Sequence, residues 1–367
     1  MGKNIVICCD GTDNKLTLEK NTNIVYLYSC LIKNENQITY YNPGVGTIAP
    51  DSMGTNFRRF FYKIRDYATA ISLTDKVKDA YIFLMENYEE GDQVYLFGFS
   101  RGAYTVRMLC GLIEMFGLIH KGNTNHLRYI LEIYSNVDNK FALANSFRYK
   151  FSRKIEIKFI GVWDTVVSVG NIFKNKKFPY SKKLEIAKTV RHAVAIDERR
   201  KLFYFYEVNP QHQDLIECFF AGVHSDVGGS YLESESGLSK IALEWMLGEA
   251  SNNGLILNKK NVDKYLFGQD TFYQKPDFKQ NIHDSLKGYK FLSVFPRKIY
   301  TKKGNEFKKS YDFRLFPPRD IPKNAYIHES VFEKVKLKEA GHHYNPLNIN
   351  LGSDSSYISI SNKGILY

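Results

Sequence analysis

Apolar residues in this chain follow two recurring patterns. Short unbroken runs of strand formers lie at residues 4–9, 37–41, 94–97, 155–163, 190–195, 203–208 and 216–223. Runs of Val, Ile, Phe and Tyr bounded by turn residues are typical of strands covered on both faces. Between them, apolar positions three and four apart predict helices over 21–31, 63–90, 103–113 and 238–253. In 63–90 the stripe is Ile71, Val77, Ala80, Tyr81, Phe83 and Leu84; in 238–253 it is Ile241, Trp245, Met246 and Ala250. Strands alternating with helices predict an α/β fold, a mostly parallel central sheet with helices on both faces.

The polar residues that close these runs carry the candidate chemistry. Val94-Tyr-Leu-Phe97 runs directly into Gly98-Phe-Ser-Arg-Gly102, a G-x-S-x-G pattern between a strand and a helix. A serine there stands on a strained turn with its Oγ outward, and a Cβ at either glycine would collide with neighbouring backbone. An idle serine in a glycine turn is the bland alternative; the strand before and the helix after favour a nucleophile. Arg101 follows at the helix start, so its N–H is a candidate oxyanion donor. The first strand closes in Asp10-Gly11-Thr12, at the sheet edge where open α/β folds bind ligands. Gly11 or Thr12 is the candidate second donor, and Asp10 either lines the site or caps the next segment. The glycine loop at 42–47 matches no phosphate-binding motif.

The strand at 155–163 ends in Asp164, and 216–223, read as the last sheet strand, ends in His224-Ser-Asp226-Val-Gly228-Gly229. Chain order is then Ser100, Asp164, His224, the nucleophile–acid–base order of α/β-hydrolases. The imidazole takes the serine proton, and the carboxylate holds that imidazole in the right tautomer. Alternatives stay open. Asp164 can cap a helix; Asp226 is a rival acid, though two residues from His224 it is better placed to brace the turn. His283 and His328 are rival bases, while His192, His212, His342 and His343 have no strand-end setting. Gly228 and Gly229 permit close backbone approach beside the site. A metal cluster of Asp10, Asp13, Asp164, His224 and Asp226 would leave the elbow unexplained, so no metal is expected.

Composition narrows the classes. With 367 residues and 44% apolar content the chain suits one large domain: a core over about 1–253, a candidate lid at 117–151 and a C-terminal segment, 254–367, wrapped on that core. The 171–183 stretch reads as a basic loop. A net charge of +12 favours phosphate-bearing partners. No nucleic-acid motif stands out, so the alternatives are peripheral contact with an anionic membrane surface and a basic surface that only keeps the chain in solution. No cofactor motif is found. Five cysteines without metal spacing fit buried, reduced thiols. The first residues lack a signal-peptide core, so the expectation is a protein made in the cytoplasm, whose export would need a non-Sec route.

Six ordered motifs carry a resemblance: Cys9-Asp-Gly-Thr, Gly44-Val-Gly-Thr, Gly98-Phe-Ser-Arg-Gly-Ala-Tyr, Gly161-Val-Trp-Asp-Thr-Val, Arg191-His-Ala with Asp197-Glu-Arg-Arg, and Phe220-Ala-Gly-Val-His-Ser-Asp-Val-Gly-Gly. Together they resemble the DUF2235 family, which includes Tle1-type phospholipase effectors of type VI secretion. The resemblance implies an α/β-hydrolase with Ser100, Asp164 and His224 as triad, acting on glycerophospholipid acyl esters as a phospholipase A1 or A2. It also implies a secretion-system or immunity-protein partner. The alternatives are a soluble carboxylesterase and a non-catalytic adaptor on a hydrolase scaffold.

Overall fold

The computed structural model describes residues 2–11, 19–44, 67–135, 140–167, 178–200, 203–209, 211–286, 297–303, 306–312, 316–337, 343–349 and 357–367. The main strands are β1 (Asn4–Cys9), β2 (Gln37–Asn42), β3 (Gln93–Phe99), β6 (Ile157–Trp163), β7 (Ala187–Ala195), β8 (Leu215–Phe220), β11 (Tyr326–His328) and β12 (Ile358–Ile360). They form one sheet in the order β12-β11-β8-β7-β6-β3-β1-β2, with every neighbouring pair parallel. Two antiparallel ladders stand apart, β4 (Leu118–Ile119) with β5 (Ser152–Arg153), and β9 (Arg297–Lys303) with β10 (Glu306–Asp312).

The helices are α1 (Asn23–Cys30), α2 (Tyr67–Asn87), α3 (Arg101–Phe116), α4 (Asn125–Ser135), α5 (Phe141–Phe151), α6 (His224–Gly228), α7 (Gly237–Ser251), α8 (Lys259–Leu266) and α9 (Glu329–Lys336). Alternate side chains of each strand face opposite layers. From β1, Ile5, Ile7 and Cys9 join the apolar cluster built by α2, α3, α4 and α5. Val6 and Cys8 join the other, with α1, α7 and α8. Both faces are thus covered, which is why the strand sequences are continuously apolar. All five cysteines are free and buried. Burial pushes the Cys9 and Cys30 thiols up to about 12, which keeps them inert.

Three expectations are modified. Residues 203–208 do not pair as a strand. Their carbonyls are met by side chains instead: Arg107 donates to Tyr206 and Glu207, and Arg319 to Phe203. Strand β8 is not the last in the sheet, because β11 and β12 extend it from the C-terminal segment. The 117–151 insert packs into the core through Leu127, Ile130, Tyr134 and Phe147, and Tyr134 Oη donates to the Pro179 carbonyl at 2.9 Å. The basic loop at 171–183 and the excursion at 48–62 lie mostly or wholly outside the described residues.

Candidate active site

Register brings the first two groups together. Phe99 pairs with Trp163 across β3 and β6, so Ser100 and Asp164, each one residue further on, emerge side by side at the carboxyl edge. The main chain locks them there: Ser100 N–H donates to Trp163 O at 3.0 Å, and Asp164 N–H to Ala193 O at 2.8 Å. Ser100 has φ 58° and ψ −121°, a conformation that costs about 1–3 kcal/mol for a residue with a Cβ. Close packing imposes it. A Cβ on Gly102 would lie 2.2 Å from Cys9 O, and one on Gly98 would lie 2.6 Å from Ala103 Cα. The elbow is therefore wedged against the end of β1.

His224 arrives from two strands away. After β8 the chain turns back across β7 and opens α6 with His224. Its Nε2 lies 2.8 Å from Ser100 Oγ, and its Nδ1 lies 2.5 Å from Asp164 Oδ2. An ionised Asp164 makes Nδ1 the donor, which leaves the Nε2 lone pair for the serine O–H. The imidazole is held between Phe99, with ring centroids 4.7 Å apart, and Phe203, at 4.9 Å. Burial pushes the His224 pKa below the ordinary imidazole range, and Asp164 only partly opposes that shift. Burial works to raise the Asp164 pKa, but the Arg319 guanidinium and His224 outweigh it and hold the carboxyl well below the usual range. Both shifts favour a neutral imidazole beside a charged carboxylate, the pair of states that a serine-activating relay would need.

A family model described as "T6SS, Phospholipase effector Tle1-like, catalytic domain" matches residues 3–249. The chain belongs to this Tle1-like family. The uncharacterized protein YEL023C of Saccharomyces cerevisiae is 38% identical over 219 residues, which is 55% of this chain and 32% of that protein. The chain thus spans about a third of the length of the curated relative it matches. A crystal structure of an uncharacterized Pseudomonas aeruginosa protein is similar at 20% identity and a TM-score of 0.42, over 70% of this chain and 46% of that one. The structure of the Tle1 effector bound to the VgrG spike of the type 6 secretion system is similar at 21% identity and a TM-score of 0.35, over 65% and 52% of the two chains.

The remaining expected site residues of this Tle1-like chain divide. Arg101 opens α3, where main-chain N–H groups point out of the helix end toward Ser100. The Gly11 N–H is committed elsewhere: it donates to Asp10 Oδ1 at 2.6 Å, so it does not serve as the expected oxyanion donor here. Thr12 and Asp13 lie outside the described residues. Asp10 also accepts from Thr22, the N-cap of α1, and from Tyr41 at 2.7 Å, so it ties β1, β2 and α1 together at the sheet edge. Gly228 lets the Phe99 ring close on α6, since a Cβ there would lie 1.9 Å from it. Gly229, at φ +86°, packs against the Asn21–Asn23 backbone.

The rival groups occupy other posts. Asp226 braces the turn by accepting from Val223 N–H at 3.0 Å, and it also holds His283 Nδ1 at 2.6 Å. His283 stacks on Tyr231, and His328 caps α9 through Ser330. His192 is fully buried between Glu217 and the Thr165 N–H. Among the described residues no group of three or more His, Cys, Asp or Glu side chains is arranged to hold a metal ion.

Two further residues at the site were given no role in the sequence reading, although Glu198 stands in the Asp197-Glu-Arg-Arg motif. Glu198 accepts from the His224 main-chain N–H at 3.2 Å and is gripped by Arg200. Arg319 grips Asp164 on the side away from His224.

Proposed function

We propose that the protein is a serine ester hydrolase that cleaves acyl esters of glycerophospholipids. Ser100 Oγ attacks the acyl carbonyl while His224 Nε2 takes its proton, and Asp164 holds the imidazole and stabilises its charged form. The Arg101 N–H, at the positive end of α3, steadies the developing oxyanion. His224 then returns the proton to the departing glycerol oxygen, and water releases the fatty acid by the same steps. The observation that carries this reading is the unbroken hydrogen-bonded line from Ser100 through His224 to Asp164, with the serine (φ 58°) and the aspartate (φ 37°) both held at positive φ.

Lipid as substrate rests on membership of the Tle1-like phospholipase family, with a net charge of +12 suited to anionic surfaces. Phospholipase A1 or A2 cleavage is the specific form proposed. The family description also points to delivery by type VI secretion, with a secretion apparatus and an immunity protein as partners.

The test is hydrolysis of phosphatidylethanolamine and phosphatidylglycerol vesicles by the wild type and by Ser100→Ala and His224→Ala, with products identified by mass spectrometry. Release of fatty acid and lysolipid by the wild type alone is expected. Full activity in Ser100→Ala would falsify the mechanism. Cleavage of short esters but not vesicles would favour a carboxylesterase, and no labelling of Ser100 by a fluorophosphonate would favour an adaptor.

A further inference from the structure

We infer that Arg319, supplied by the C-terminal segment beyond the matched residues 3–249, is a positioning residue for the acid of the triad. The inference rests on the serine-hydrolase reading above. The guanidinium engages Asp164 as a fork: Nη1 donates to Oδ1, and Nη2 donates to Oδ2 at 3.0 Å. The same two nitrogens reach Ala195 O at 2.9 Å and Phe203 O at 2.6 Å. Arg319 therefore joins the acid, the end of β7 and the segment that presses Phe203 on His224. It is 3% exposed, and its Nε has no hydrogen-bond partner among the described residues. A buried donor left unmatched is costly, so the side chain is aimed at Asp164 rather than arranged to satisfy all of its own donors. Its backbone is held by Pro317 and Pro318 before it and by Asn348, which donates to Arg319 O at 2.9 Å and to Ile196 O at 3.1 Å.

Two consequences follow for the relay. Asp164 has both oxygens occupied from behind, by Arg319 and by the Ala195 N–H at 3.0 Å, so it has one orientation to offer Nδ1. The guanidinium charge also offsets part of the Asp164 charge, which weakens the pull of that carboxylate on an imidazolium. The other charged or titratable groups around this pair are Glu198 and Arg200 beyond His224, and His192 on β7. None of these touches Asp164 as Arg319 does.

The two effects separate in variants assayed by fluorophosphonate labelling and short-ester turnover, each expressed per titrated active site across pH. Arg319→Met leaves the Asp164 charge unopposed, so imidazolium is favoured. The acid limb of the rate profile then moves up by about one pH unit, and the rate per site falls about tenfold to a hundredfold. Arg319→Lys keeps the charge but cannot form the fork, so its limb stays with the wild type while its rate per site falls. An Arg319→Met limb that coincides with the wild type overturns the proposal, as does Arg319→Lys at the full rate per site. If Arg319→Met does not fold, the lysine variant decides alone. Labelling that persists in Ser100→Ala sinks the triad itself; labelling confined to Ser100 without these shifts sinks only the role of Arg319.

Discussion

Replacing Asp164 by asparagine keeps the shape of the side chain and removes its charge, and the surroundings allow no harmless orientation. Four donors converge on the carboxylate: His224 Nδ1, both Arg319 Nη groups and the Ala195 N–H. An amide must turn its NH2 toward some of them. If NH2 faces His224, Nδ1 becomes an acceptor, the ring proton moves to Nε2, and Ser100 has no base. If NH2 faces Arg319, donor meets donor; in either orientation a buried guanidinium loses its counter-charge, which destabilises the fold by about 3–5 kcal/mol. A wrong tautomer in such a relay costs about 10⁴-fold in turnover, or about 5.5 kcal/mol of barrier. The assay is ester turnover per folded molecule, paired with urea unfolding. The stability loss also has a pH signature. The Asp164 pKa is depressed in the folded state, so its contribution is full above about pH 4 and is lost as pH falls further. The gap between wild type and Asp164→Asn therefore narrows in acid. A variant that turns over within about tenfold of wild type refutes the assigned tautomer and the role of Asp164.

Three further outcomes are expected. Because burial lowers the His224 pKa, the acid limb of the wild-type rate profile falls below about pH 6.5; a limb at or above that value contradicts a desolvated base. Gly102→Ala drives a Cβ to within 2.2 Å of Cys9 O and 2.5 Å of Asp10 O. It should lower stability by about 3 kcal/mol in urea unfolding, and unchanged unfolding would mean the elbow is not wedged on β1. His283 is engaged by Asp226 rather than by Ser100, so His283→Ala should keep labelling per active site within about tenfold of wild type while His224→Ala loses it; the reverse ranking would exchange their roles.

Much of the fold was legible in the sequence because the sheet is buried on both faces. Such strands need continuous apolar runs, and these stood out in β1, β3 and β6 without tertiary information. The 203–208 segment misled for the same reason. Its aromatic side chains do pack inward, but its carbonyls are satisfied by Arg107 and Arg319, and side-chain donors leave no period in the sequence. Strands β11 and β12 were missed because three residues each are too few to show a pattern.

Local chemistry alone determined the strand-to-helix elbow, its two close-packed glycines and the chain order of Ser100, Asp164 and His224, since each depends on neighbours in sequence. Only the folded chain decided which carboxylate meets which imidazole. Asp226 lies two residues from His224 yet holds His283, while Asp164 reaches His224 across a strand register set 60 residues earlier. The partners of Gly11 and Arg319 were decided in the same way. A hydrogen bond between distant residues depends on where sheet register and packing set the backbone, and that is a property of the whole assembly rather than of any window along it.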